Sequence, residues 1–86
     1  MKLKNGFLLR QIAGQNVVVP VDRELDLNMM ITLNDTGAFL WELLQSDTDE
    51  AALTAALLKE YDVDENTAAA SVAAFVEKLR KQGFLG

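Results

Sequence analysis

Ile31-Thr32-Leu33-Asn34-Asp35-Thr36-Gly37-Ala38-Phe39-Leu40-Trp41-Glu42-Leu43-Leu44 is the stretch on which the fold turns. It begins as the end of a short strand, Met30 to Leu33. Asn34 then stands where a helix starts, because its side chain can accept from the free N–H groups of a first turn. Phe39, Leu40, Leu43 and Leu44 follow at helical spacing and form an inner face, with Trp41 off that stripe or on its margin. The helix reads to about Gln45, and Thr36-Gly37-Ala38 leaves its start slim enough to pack closely on the strand. Strand formers and glycine dominate before Leu33, whereas Ala, Leu, Glu and Asp dominate after it.

Upstream, Phe7 to Ile12 reads as a strand, Ala13-Gly14-Gln15-Asn16 as a turn, and Val17 to Val21 as a second, β-branched strand. The two make a hairpin. Pro20 lacks an N–H, so its strand lies at an edge there or is ending. Asp22 to Asn28 is a polar loop.

Downstream, Asp47 and Glu50 have capping-box spacing ahead of a second helix with the stripe Leu53, Leu57, Leu58 and Tyr61. Asp62-Val63-Asp64 is a break. Asp64 can cap a third helix that runs to about Gln82 on Ala68, Val72, Phe75, Val76 and Leu79, with Gly83 as its stop. Phe84 can fold back on it. A lone hairpin is marginal in water, so the sheet must lay an apolar face on the helices. The order predicts an α+β domain, a three-stranded antiparallel sheet followed by three helices on one face.

At 86 residues the length suits one domain, read as 1–86, with a thin core. The absence of Cys removes disulfides and thiolate metal sites, and the absence of His removes the commonest general base and metal ligand. No nucleophile–base pair can be nominated, so the expectation is no enzyme, no catalytic residue, no metal and no cofactor. Asp47, Asp49 and Glu50 resemble part of a calcium loop but lack its glycine and its terminal glutamate, which leaves a solvated helix start. The net charge of −5 argues against unspecific nucleic-acid or membrane binding. It is also unevenly placed. Residues 1–30 sum to +1 and residues 31–86 to −6, which suggests a partner with basic residues facing the helices. The apolar run Phe7 to Leu9 is too short for a secretory signal, and no stretch approaches a membrane span. The expected location is the cytoplasm.

Three stretches taken together are specific: Leu9 to Val21, Ile31 to Leu44, and Tyr61-Asp62-Val63-Asp64 leading to Phe84-Leu85. They resemble the PqqD family, named for coenzyme PQQ synthesis protein D, over about Phe7 to Leu85. The most specific piece is Leu33-Asn34-Asp35-Thr36-Gly37-Ala38-Phe39-Leu40-Trp41-Glu42-Leu43-Leu44. The resemblance implies a winged-helix-like peptide-recognition element. Such domains bind the leader of a ribosomally made precursor peptide and present it to a modifying enzyme, often a radical SAM protein, without doing chemistry themselves. Many members stand outside PQQ synthesis.

The residues themselves offer a peptide site. If one edge of the third strand is unpaired, its N–H and C=O groups can receive an extended peptide. The small residues of Ala68 to Ala74 leave a low surface on the third helix, and Met29 and Met30 are adaptable. The expected peptide-binding residues are therefore Met29, Met30, Ile31, Thr32, Leu33, Ala69, Ala70, Ala73 and Ala74. The same residues have plainer readings. The alanines are strong helix formers that pack tightly on a neighbour, and the methionines are core filler. A free strand edge would also let two copies pair as a weak symmetric dimer. The alternative is a winged-helix DNA-binding protein, but Asp47, Asp49, Glu50, Glu60, Asp62, Asp64, Glu65 and Glu77 crowd the helices that would meet phosphate.

Overall fold

The computed structural model describes residues 1–21 and 31–85. The expected Asp22–Asn28 loop and the methionine pair lie outside these residues. The elements are β1 (Phe7–Ile12), β2 (Gln15–Pro20), β3 (Ile31–Leu33), α1 (Asp35–Leu43), α2 (Glu50–Glu60) and α3 (Glu65–Gln82). They form the predicted three-stranded antiparallel sheet followed by three helices, in strand order β1-β2-β3.

β1 and β2 pair from Phe7↔Pro20 to Ile12↔Gln15, so only Ala13 and Gly14 form the turn. Both take positive φ, +52° and +79°, which matches the right-handed twist of a tight hairpin. The sequence suggested a four-residue turn relaxed by Gly14 and Asn16. Instead Asn16 joins the strand, and Ala13 carries a conformation costly for a side chain with a Cβ. Pro20 lies on the central strand and ends it, so the edge reading of Pro20 fails and the terminating one holds.

The core lies between the sheet and the helices. Val18, Ile31 and Leu33 face Leu40, Leu44, Leu53, Leu57, Ala68, Val72, Val76 and Leu79, all buried. Trp41 is also buried, although the α1 stripe left it marginal. The chain ends supply its cover: Leu3 bridges Leu85, and Phe84 meets the indole edge-on at 5.7 Å. Phe84 also meets Phe7 at 4.6 Å. Its N–H donates to Leu79 O once Gly83 turns left-handed at φ +81°. Leu3 N donates to Leu44 O, and Lys4 N to Phe84 O, so the first residues are stitched to α1 and to the segment after α3.

The helix caps follow chemistry that the sequence carried, with one correction. Asn34 Oδ1 accepts from Gly37 N at 2.8 Å, and Asp64 Oδ1 from Thr67 N at 2.7 Å. The α2 cap is Asp49, not Asp47: Asp49 Oδ1 accepts from Ala52 N at 2.8 Å. Asp47 instead pairs with the Met1 ammonium at 2.8 Å. No helix among the described residues is long and apolar enough to cross a membrane.

Candidate peptide-binding groove

α3 carries three faces. Ala68, Val72, Val76 and Leu79, spaced four, four and three apart, are buried in the core. Ser71, Ala74, Phe75 and Lys78 recur at i, i+3, i+4 and i+7 on a second face, which looks towards β3 and the start of α1. Glu65, Ala69 and Ala73 lie on a third, towards α2.

The second face closes a groove of about 520 Å³. Its opposite wall is Thr32 and Leu33 of β3, then Asn34 and the first turns of α1 through Thr36, Gly37 and Leu40. Gly37 sets the depth of the wall. A Cβ built there would stand 3.3 Å from Leu33 Cβ, 3.2 Å from Asn34 Oδ1 and 3.3 Å from Phe75 Cε1, so only a glycine lets helix, strand and ring approach this closely. Phe75 packs against the core as its place in the helical stripe suggested, but it is only half-buried and its ring also lines the groove.

β3 bounds the sheet. β2 pairs with it through Asn16↔Leu33, Val17↔Thr32 and Val18↔Ile31, and no strand among the described residues takes its other side. Alternate residues of an antiparallel strand turn both N–H and C=O the same way, so the outer edge offers donors and acceptors in line. Ile31 and Leu33 send their side chains to the core while Thr32 faces out.

These features sort the residues expected from sequence. Thr32, Leu33 and Ala74 line the groove. Ile31 is buried in the core and does not line the groove. Ala69 and Ala73 line a different cleft of about 500 Å³ between α2 and α3, beside Thr54, Ala55 and Leu58. Ala70 is exposed and lines neither. Met29 and Met30 lie outside the described residues. Sequence reasoning did not single out Ser71, Phe75 and Lys78. Their spacing was visible, but it interleaves with the core stripe one position away and is hidden by it.

Among the described residues, Lys78 is the only charged side chain on the groove wall. Glu77, its neighbour in sequence, holds Arg80 at 2.9 Å on the exposed side of the helix. Asp64, at the far end of α3, has its carboxyl held below the usual range by the Thr67 N–H that it caps. No group of three or more acidic side chains among the described residues could hold a metal ion.

The fold and groove define a small α+β domain in which a helix-walled trough lies beside a sheet edge that no described strand covers. The chain belongs to the PqqD family: the model of coenzyme PQQ synthesis protein D matches residues 15–85. Two solved structures share the fold. TbiB1, in complex with the TbiA(beta) leader peptide, superposes with a TM-score of 0.76 at 21% identity, over 99% of this chain and 94% of the other. Lasso peptide synthetase B1, complexed with the leader peptide, gives a TM-score of 0.73 at 25% identity, over 96% and 93% of the two chains. No curated protein matches the chain at a significant level of sequence similarity.

Proposed function

We propose that residues 1–86 act as one non-catalytic recognition module, which binds the leader of a ribosomally made precursor peptide and presents the core to a modifying enzyme. The observation that carries this reading is the edge of β3, unpaired among the described residues, beside the 520 Å³ groove. An extended leader would add a strand to that edge, taking affinity from main-chain hydrogen bonds and selectivity from side chains in the trough. Membership of the PqqD family supports it, as do two neighbours of the same fold that are complexed with leader peptides.

The chemistry then belongs to the partner, and the cytoplasm, where precursors are translated, is the natural place for the encounter. The partner is a peptide-modifying enzyme, of radical SAM type or of another class. The same β3 edge gives two copies of the chain a route to weak antiparallel pairing, which bound leader would displace. Nothing favours the DNA-binding alternative, because Asp62, Asp64 and Glu65 crowd the start of α3.

Calorimetric titration with the leader of a candidate precursor peptide tests the reading. One-to-one binding is expected, with no gel shift of duplex DNA at low salt. DNA binding without peptide binding would overturn it.

A further inference from the structure

The groove is richer in donors than in acceptors. Asn34 Oδ1 is committed to Gly37 N at 2.8 Å, so the amide has its NH2 group left to offer. Thr32, Thr36 and Ser71 bring hydroxyls that can donate or accept. Lys78 brings an ammonium, and no carboxylate among the described residues lines the wall. Lys78 also makes no ion pair among the described residues, since Glu77 beside it is held by Arg80. A chain of net charge −5 therefore turns a cationic, donor-rich trough towards its ligand.

Resting on the reading of this groove as the leader site, we infer that it selects leaders carrying an Asp or Glu two positions from a large apolar anchor. The spacing follows from the helix. Phe75 and Lys78 are three residues apart, about 4.5 Å of rise. Side chains on one face of an extended peptide recur at about 6.6 Å. For a peptide running along α3, an apolar side chain over Leu33 and Phe75 leaves the next side chain on that face about 2 Å beyond Lys78, a gap that the four-methylene lysine stem spans. The acidic excess of the helical half lies elsewhere, so a basic partner and an acidic leader side chain are compatible.

The test uses acetylated octapeptides of otherwise random sequence with Leu fixed at position 4 and Glu, Gln or Lys fixed at position 2 or 6. Affinity is read by fluorescence polarisation and the site by amide NMR shifts. At one of the two positions, Glu pools are expected to bind about three- to fivefold tighter than Gln pools, as for a partly solvated ion pair. Lys pools should be weakest, and the preference should shrink at high salt. Lys78→Gln should abolish the preference and Lys78→Glu should reverse it. Lys78 is exposed, so both variants should keep the wild-type melting curve. Two results would overturn the inference. Pools that shift the Ile31–Leu33 amides with an acid preference absent, or unchanged in both variants, would remove it while the leader site stands. Pools that shift neither those amides nor residues 71–78 would remove the leader site and this selectivity with it.

Discussion

The ring of Phe75 closes over the backbone of Gly37, so near that a Cβ built on Gly37 would lie 3.3 Å from Phe75 Cε1. This contact joins α1 to α3 and forms one end of the groove. Gly37→Ala adds a methyl that the half-buried ring must yield to, while alanine favours the helix by up to about 1 kcal/mol. Stability should therefore change by less than about 1 kcal/mol while peptide affinity falls. The alanine methyl also stands 3.2 Å from Asn34 Oδ1 and 3.3 Å from Leu33 Cβ. Gly37→Val adds two more methyls in the same crowded space and should cost about 1–3 kcal/mol in urea denaturation.

Ala74 and Ala73 are neighbours in sequence that point to different concavities, one to the groove and one to the α2/α3 cleft. Both are exposed and helical, so a glutamate at either should leave the fold intact. Ala74→Glu should weaken leader binding severalfold and Ala73→Glu should leave it unchanged. Equal losses in a polarisation assay would show that the peptide does not lie between β3 and α3.

Phe84 is fully buried and touches Phe7 and Trp41 edge-on. Phe84→Ala should cost about 3–5 kcal/mol, a large part of the roughly 5–15 kcal/mol that holds a domain folded. Phe84→Leu, which keeps most of the volume, should cost less. The midpoint of urea unfolding checks both.

Asp64 and Asp47 each contribute to the pH dependence of stability on the acid side. The Thr67 N–H holds the Asp64 carboxyl below its ordinary value of 3.8, and the hydrogen bond and charge of the Met1 ammonium do the same for Asp47. A depressed carboxyl stabilises the fold above the unfolded value, and that gain is lost as pH falls through the folded value. The melting temperature should be level above about pH 5 and decline through pH 4 and below. Asp64→Asn keeps a capping oxygen but cannot titrate, so its acid limb should be shallower than wild type. An acid limb identical to wild type would contradict the role of Asp64.

Much of this architecture was legible in the residues. Asn34, Asp64 and Gly83 marked helix ends, because capping chemistry is local and strict. The misreadings arose where distant chain decides. Trp41 looked marginal on its own helix and is buried by Leu3 and Phe84 from the two ends of the chain. Asp47 had capping spacing but is drawn to the Met1 ammonium, leaving Asp49 to cap α2. In the groove, Thr32, Leu33 and Ala74 followed from an open edge beside small residues. Phe75 and Lys78 did not, because the groove face of α3 lies one position from its core face, and only the close approach of α1 at Gly37 tells the two apart.

Amide NMR of the 15N-labelled chain, titrated with the leader of its own precursor, tests the central claim most directly. Added-strand binding predicts saturable shifts at Ile31, Thr32 and Leu33, with slowed hydrogen exchange at the outward N–H groups of β3, and shifts at Ser71, Ala74, Phe75 and Lys78. Binding that perturbs only the α2/α3 cleft or the β1 edge, with β3 unchanged, would contradict it.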